Sequence, residues 1–331
     1  MPQPVIYPPA LRRGDTIGVF SSSICAAAGQ EKQVRYAIDF LGARGYHVKL
    51  GALTDTRAKR AWRAGSIAER AAEFNALLRD PAVDCLMASA GGCVSNSILP
   101  YIDYDFLREH PKIIIGFSDI TALVLGIYAQ IGLTTYYGPV FSQFWRKPPI
   151  NERVFSAMEP VLAGAPRPFT LPTPEEWTDE NIHFHERHRY HMRKNALRTL
   201  RGGVAEGRLL PCNLNTLSGI WGSPYMPEIQ PGDILLLEDT KLYIEAAERS
   251  FSHLKLCGVF DKIGGLLLGK HIDQDDEGSG LTDSDVFLEV AGRFDFPVLA
   301  DFDCSHAMPM LTLPVGAPAR LDADRQTLTL L

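Results

Sequence analysis

Ser118 stands where an apolar run ends and a helical pattern begins. Residues 112–116 are β-branched and bounded by proline and glycine, which is typical of a buried strand. Residues 119–130 carry apolar side chains among small ones, which suits a buried helix. A strand-to-helix turn can expose a serine hydroxyl while the helix N-terminus directs amide groups toward negative charge, so Ser118 is a candidate nucleophile. Serine and aspartate are also favoured helix caps, and Ser118 with Asp119 could serve only that role.

A serine nucleophile needs a base, and two further residues follow predicted strands. His306 comes after the apolar run 298–302, and histidine suits proton transfer near neutral pH because its unperturbed pKa is about 6.5. Glu238 comes after the run 234–237 and could fix the imidazole tautomer. Three neighbouring acids remain alternatives for that carboxylate: Asp239, Asp301 and Asp303. Each residue alone also suits a solvated loop or a cap, so their shared position at strand ends is what favours a Ser–His–carboxylate site.

A tetrahedral oxyanion would need hydrogen-bond donors beside the serine. The backbone amide of Asp119, directly after Ser118, is one candidate. Gly92 is the other, because glycine lets the backbone approach a ligand closely. Gly91-Gly92 also suits an ordinary tight turn after the predicted strand 83–89.

The remaining motifs indicate no cofactor. The tract His183-x-His185-x2-His188-x2-His191 resembles a metal site, but it has neither cysteine nor a helical i, i+4 pair of histidines, so we predict no metal there. The glycines form neither a dinucleotide fingerprint nor a phosphate-binding loop. Trp177 could stack on a base or ring, although a tryptophan that anchors its own loop is the commoner case.

Composition and charge limit the classes of protein to which this chain can belong. A chain of 331 residues with 46% hydrophobic and 22% charged residues is ordinary for a soluble globular protein of two domains. The net charge of −6 and the lack of a basic arm argue against nucleic acid or an anionic membrane as a partner. We expect no secretory signal and no membrane span, and six scattered cysteines suit free thiols in a reducing cytoplasm.

Strand and helix signals alternate over the first 140 residues, which predicts a mostly parallel sheet flanked by helices. Ligands bind beyond the carboxyl ends of such strands, where Gly91-Gly92 and Ser118 would lie. The pattern fails between about 166 and 200, and a long irregular segment is often a binding loop. We therefore predict an α/β fold in three parts: an N-terminal α/β domain over 1–165, a linker and substrate-binding loop over 166–200, and a smaller C-terminal α+β domain over 201–331.

Ordered motifs along the chain resemble the LD-carboxypeptidase and microcin C immunity family of serine peptidases. The resemblance runs from about Gly14 to the C-terminus and rests on these stretches: Ser95-Asn96 with Leu99-Pro100-Tyr101-Ile102-Asp103, residues 115–123, Asn213-Leu214-Asn215-Thr216, Leu237-Glu238-Asp239 and residues 301–306. The resemblance implies Ser118 as nucleophile, His306 as general base and Glu238 as its orienting carboxylate. It also implies an oxyanion hole from the amides of Gly92 and Asp119, no metal, and usually a homodimer.

Within this family the chain is most similar to the microcin C immunity branch. Residues 220–227 and 248–251 and the long segment with Trp177 resemble that branch, in which an extra loop and an aromatic ring hold an adenine nucleotide. Murein-cleaving relatives typically have arginine before the paired glycines, where this chain has Ala90. Pro211-Cys212 stands where the family usually has two glycines, so the backbone conformation before Asn213 could differ from that of the family.

The resemblance implies a cytoplasmic serine peptidase, of carboxypeptidase type, that cleaves the amide bond of a peptidyl- or aminoacyl-nucleotide antibiotic. Such an activity would give self-immunity or resistance. Trp177 would stack on the base, Asn215 would help position the nucleotide, and Lys241 lies close to a position expected to meet phosphate. Two alternatives remain: removal of terminal D-alanine from murein tetrapeptides, and non-catalytic binding of nucleotide-like ligands.

Overall fold

The computed structural model describes residues 5–54, 62–180, 189–241 and 243–331, and most of its strands lie in two sheets. The strands are β1 Thr16–Phe20, β2 His47–Leu50, β3 Cys85–Ala88, β4 Ile113–Gly116, β5 Tyr136–Tyr137, β6 Phe169–Thr170, β7 Glu176–Trp177, β8 Arg193–Lys194, β9 Arg198–Arg201, β10 Val204–Asn213, β11 Ile234–Glu238, β12 Gly265–Gly269, β13 Val298–Phe302, β14 Leu313–Pro314, β15 Pro318–Asp322 and β16 Thr327–Leu330. The helices are α1 Glu31–Gly42, α2 Ile67–Arg79, α3 Tyr104–Glu109, α4 Thr121–Ile131, α5 Ile150–Leu162, α6 Leu214–Leu217, α7 Ile244–Leu256 and α8 Asp283–Ala291.

The first sheet has six strands in the order β14-β5-β4-β3-β1-β2. Strands β1 to β5 are parallel to their neighbours, and every residue of β3 and β4 is buried. Helix α1 contacts β2, α2 contacts β1, and α4 contacts β4. The predicted N-terminal parallel sheet flanked by helices is therefore confirmed. Its last strand, β14, comes from the C-terminal part of the chain and runs antiparallel to β5.

The second sheet has eight strands in the order β6-β16-β15-β10-β11-β12-β13-β9. Its centre, β10 to β13, is parallel, while the strands on both sides pair antiparallel. This mixed sheet, with α7 and α8 between its strands in sequence, is the predicted C-terminal α+β unit. The carboxyl ends of β10 to β13 carry Asn213, Glu238 and the turn that leads to His306.

Strand β10 has no counterpart in the sequence-based prediction. Its first half pairs antiparallel with β15 and is partly exposed, whereas its second half pairs parallel with β11 and is buried. One strand thus passes through two environments, and no single periodicity covers its ten residues. Despite Pro211, the pairing continues to Asn213, which lies opposite Glu238.

The segment 166–200 is less irregular than the sequence suggested. Strand β6 joins the second sheet beside β16, and β9 forms the opposite edge beside β13. Strands β7 and β8 pair with each other as a separate hairpin. These strands have only two to four residues each, and most of their side chains are exposed or half-buried, so they lack the alternation that would predict them.

No helix among the described residues is both long and apolar enough to cross a membrane.

Candidate active site

Ser118 lies on a tight turn between β4 and α4. Its φ of 61° falls in the left-handed region, which non-glycine residues adopt rarely and at a cost in free energy. A short 3-10 turn, Ser118–Ile120, precedes α4, so the helix expected from residue 119 begins regularly at Thr121. The Thr121 hydroxyl donates to the Ser118 carbonyl at 2.6 Å. This hydrogen bond stabilises the turn, in which the Ser118 side chain is half-buried.

Glu238 and His306 lie within hydrogen-bond distance of each other at the ends of β11 and β13. His306 Nδ1 is 2.7 Å from Glu238 Oε2. The glutamate side chain is fully buried, while the imidazole is 16% exposed. The His306 ring also packs on Phe117, the residue before Ser118, with a centroid separation of 4.8 Å. These contacts bring Ser118, Glu238 and His306 into one region from three separate strand ends.

Tyr137, at the end of β5, connects the serine turn to the buried carboxylate. Its hydroxyl accepts a hydrogen bond from the Ser118 amide at 3.3 Å and donates to Glu238 Oε1 at 2.5 Å. Asn213 Nδ2 donates to the same carboxylate oxygen at 3.0 Å. Neither Tyr137 nor Asn213 was given a role from the sequence. The available signals were the end of a short strand at Tyr137 and the motif of the family resemblance that begins at Asn213.

Burial and hydrogen bonding act in opposite directions on the Glu238 carboxyl. Burial alone raises its pKa, but the charge and hydrogen bond of His306, with the donors Tyr137 and Asn213, hold the pKa below its ordinary value. Burial and the neighbouring Glu238 charge hold the pKa of Tyr137 well above its ordinary value. Glu238 is therefore ionised and Tyr137 protonated near neutral pH, which is the arrangement that a donated Tyr–Glu hydrogen bond needs.

The three alternative acids have other partners. Asp239 accepts from the amides of Asn215 and Thr240 at 2.7 and 2.8 Å. Asp303 pairs with Lys270 Nζ at 2.5 Å, and Asp301 pairs with Arg198. Of the four acids that the sequence left open, Glu238 alone has a hydrogen bond to His306 within the described chain.

The Gly91–Gly92 turn lies against the serine, as the sequence predicted. A Cβ atom on Gly91 would be 3.2 Å from Ser118 Oγ and 3.6 Å from the Asp119 amide nitrogen. Gly92 has a φ of +147°, and its amide makes no hydrogen bond within the described part of the chain. The Asp119 side chain is buried and points into the same turn, where it accepts from the amides of Val94 and Ser95.

The hairpin with Trp177 is attached beside the His306 turn. Thr178 and Met308 exchange two backbone hydrogen bonds of 2.8 and 2.9 Å. The Trp177 ring lies 5.2 Å from the Arg193 guanidinium and 5.7 Å from Lys270 Nζ, so cations already approach the ring that was expected to stack on a base.

The other two predicted substrate contacts lie near strand ends of the second sheet. Asn215 is exposed on the first turn of α6, and its backbone amide donates to the Asp239 carboxylate. Lys241 is exposed, with a φ of 57°, in the turn after β11. In the histidine tract, residues 183, 185 and 188 lie outside the described residues. The described residues contain no cluster of three or more His, Cys, Asp or Glu side chains that could hold a metal.

Comparisons with known proteins agree with this architecture. The N-terminal domain model of LD-carboxypeptidase matches residues 17–138, and the C-terminal domain model matches residues 206–321. The chain is 44% identical to an inferred carboxypeptidase of Vibrio cholerae, over 98% of each protein. It is also 42% identical to the microcin C7 self-immunity protein MccF of Escherichia coli, over 96% of this chain and 93% of that protein. A solved structure of MccF in complex with aspartyl sulfamoyl adenosine has a TM-score of 0.94 at 42% identity and 98% coverage of both chains.

Proposed function

The chain belongs to the LD-carboxypeptidase family, and we propose that it is a serine hydrolase that cleaves the amide bond of a peptidyl- or aminoacyl-nucleotide. One observation carries this proposal: hydrogen bonds run from the Ser118 amide through Tyr137 and Glu238 to His306. A serine on a strained turn, an imidazole and a buried ionised carboxylate are the three groups of a Ser–His–acid triad for nucleophilic acyl transfer.

In the proposed mechanism, His306 takes the Ser118 proton as the serine oxygen attacks the substrate carbonyl. The new C–O bond gives a tetrahedral oxyanion, which the amides of Gly92 and Asp119 would hold. Collapse of this intermediate breaks the C–N bond, and His306 returns the proton to the departing nitrogen. Water then attacks the acyl-enzyme with His306 again as base, which releases the acid and restores Ser118.

Glu238 would keep the His306 ring in the productive tautomer throughout both steps. Its hydrogen bond to Nδ1 leaves Nε2 for the serine proton, and its negative charge stabilises the imidazolium that forms. Tyr137 and Asn213 would orient the carboxylate, because both donate to the oxygen that does not face His306.

A nucleotide-linked substrate is favoured by the similarity to MccF, which has been solved with aspartyl sulfamoyl adenosine. We propose that Trp177, Asn215 and Lys241 contact the nucleotide part. The hairpin with Trp177 supports this, because its neighbour Thr178 pairs with Met308, two residues after His306. Cleavage of such a compound would give self-immunity or resistance to an antibiotic of the microcin C type.

The direct test is to incubate the purified protein separately with aspartyl sulfamoyl adenosine and with a murein tetrapeptide that ends in D-alanine. We expect mass spectrometry to find aspartate and sulfamoyl adenosine from the first compound. Turnover of the murein peptide alone would instead favour the LD-carboxypeptidase alternative. Binding of the nucleotide without turnover of either compound would favour the non-catalytic alternative.

Ser118→Ala tests the proposed nucleophile. The variant should still bind aspartyl sulfamoyl adenosine, while kcat should fall on the order of 10⁶-fold, the loss that follows removal of a triad serine. Ser156→Ala is the matched control, because Ser156 is an exposed serine on α5. Unchanged turnover in Ser118→Ala would eliminate the serine mechanism.

We further propose that the protein acts in the cytoplasm as a homodimer, with residues 1–165 and 201–331 as two domains and 166–200 as the linker and substrate-binding loop. Six cysteines without a disulfide support a reducing compartment. Fractionation of cells and light scattering of the purified protein test the location and the dimer.

A further inference from the structure

Two buried side chains hold the backbone that follows Gly91–Gly92. Ser23 Oγ accepts from the amides of Cys93 and Val94 at 3.0 and 3.2 Å. Asp119 Oδ2 accepts from the amides of Val94 and Ser95 at 3.1 and 3.0 Å. Three consecutive amides are thus bound by side chains from two other strand ends, because Ser23 follows β1 and Asp119 follows β4.

Two hydrogen bonds from Ser95 to Asp119 connect this turn to the serine turn. The Ser95 hydroxyl donates to the Asp119 carbonyl at 2.5 Å, while the Asp119 side chain binds the Ser95 amide. Ser23 is completely buried and Asp119 is 4% exposed, so water cannot readily replace these bonds.

Gly92 brings the turn into direct contact with Ser23. A Cβ atom at Gly92 would be only 2.1 Å from Ser23 Oγ, so the glycine backbone packs on the serine side chain. The preceding glycine, Gly91, lies close enough to Ser118 that a Cβ atom there would be 3.2 Å from Ser118 Oγ. Ser23 and Ser118 therefore each lie against one of the paired glycines.

We propose that Ser23 and the Asp119 carboxylate are positioning residues that hold the Gly92 amide beside Ser118 as an oxyanion donor. This inference rests on the proposed serine mechanism and assigns neither side chain a contact with the substrate. Asp119 then has two separate tasks: its amide donates to the oxyanion, and its carboxylate fixes the second donor.

A positioning role is needed because an oxyanion donor works only at hydrogen-bond distance from the place where charge develops. Gly92 is a flexible residue in an irregular turn, and its own amide makes no internal bond within the described chain. Bonds to the next three amides supply the rigidity that the glycines lack. Loss of one anchor should weaken transition-state binding and leave ground-state binding nearly unchanged.

The test compares Ser23→Ala with Ser21→Ala. Ser21 is the matched control, because it is also a buried serine next to β1, but its hydroxyl bonds to Thr54 and Ser89 and not to the glycine turn. For hydrolysis of aspartyl sulfamoyl adenosine we expect Ser23→Ala to lower kcat by about 10- to 100-fold with KM unchanged. This loss is smaller than the roughly 100- to 1000-fold that follows removal of an oxyanion donor. Ser21→Ala should keep the kcat of the unaltered protein.

Ser118→Ala, measured in parallel, separates this inference from the proposed function. If that variant is inactive while Ser23→Ala matches Ser21→Ala, the positioning inference is wrong and the serine mechanism stands. A rise in KM with kcat unchanged would also overturn the inference. If thermal unfolding shows that Ser23→Ala is not folded, Asp119→Ala gives the same test, because it keeps the backbone amide and removes the oxygen that accepts from the amides of Val94 and Ser95. The kcat of Asp119→Ala must then fall at constant KM.

Discussion

Gly92→Ala is the most direct probe of the proposed oxyanion hole. The substitution adds one carbon atom at a residue whose φ is +147°. That carbon would be 2.1 Å from Ser23 Oγ and 2.6 Å from Ser23 Cβ. Ser23 is completely buried and cannot swing into solvent, so the glycine turn must move instead.

The size of the effect follows from this distance. An ordinary contact begins at 3.4 Å, so the Gly92 backbone must move by more than 1 Å if Ser23 stays in place. A displacement of about 1 Å at a catalytic site can cost about 100-fold in rate. Complete loss of an oxyanion donor costs about 100- to 1000-fold in kcat. We therefore expect kcat to fall at least about 100-fold, with a much smaller change in KM.

Gly14→Ala is the control for backbone strain. Gly14 also has a positive φ, of +102°, but a Cβ atom there would have no neighbour within 4 Å. Alanine at either position should cost about 1–3 kcal/mol of stability for the unfavourable φ. Urea unfolding measures that shared cost, and steady-state hydrolysis of aspartyl sulfamoyl adenosine measures the effect that is specific to Gly92.

If folded Gly92→Ala retains a kcat within about threefold of that of Gly14→Ala, Gly92 is not an oxyanion donor, since displacement of such a donor costs much more in rate. A loss entirely in KM would refute the role as well, because the Gly92 amide would then bind the ground state.

Tyr137→Phe should lower the free energy of unfolding by about 1.5–3 kcal/mol, since it removes a hydrogen bond to the buried Glu238 carboxylate. The pKa of Glu238 is held below its ordinary value, so the stabilisation by ionised Glu238 is lost as pH falls through that depressed pKa. Without the Tyr137 hydroxyl this pKa rises, so urea unfolding at a series of pH values should show the loss of stability beginning at a higher pH in the variant. Identical pH profiles of the variant and the unaltered protein would refute this role of Tyr137. Lys270→Met should cost about 3–5 kcal/mol in the same assay, since it leaves the buried Asp303 carboxylate without its cation. Arg108→Met, at an exposed ion pair, is the control and should leave stability nearly unchanged; equal effects of the two substitutions would contradict the argument.

The proposed catalytic residues could be found from the sequence because each follows a short apolar run. Runs at 112–116, 234–237 and 298–302 correspond to β4, β11 and β13 within a residue at each end. Parallel strands have their carboxyl ends at one edge of a sheet, so local patterns indicate that Glu238 and His306 gather at one edge, while Ser118 lies at the same kind of edge in the other sheet. The sequence could not decide which of four acids pairs with His306, because that depends on where each side chain points after its strand ends.

The groups that connect these residues could not be predicted in this way. Tyr137 and Glu238 are 101 positions apart, and Ser23 and Cys93 are 70 positions apart. Their bonds depend on how one sheet meets another or how one turn packs on its neighbour, and periodicity within a strand carries no information about either. Strands β6 to β9 were missed for a related reason, because these short segments are strands only through their pairing with distant parts of the chain or with each other.

The proposed site is divided between the two sheets, and this has a consequence for its stability. Ser118 and Tyr137 come from the first sheet, whereas Glu238 and His306 come from the second. A buried Glu238 would be costly without donors, and Tyr137 supplies, across the boundary, one of the three side-chain donors that Glu238 has among the described residues. Strand β14 crosses the same boundary to pair with β5 beside Tyr137. Because the carboxylate loses a donor whenever the sheets separate, the ionised form of Glu238 stabilises the contact between the sheets as well as the orientation of His306.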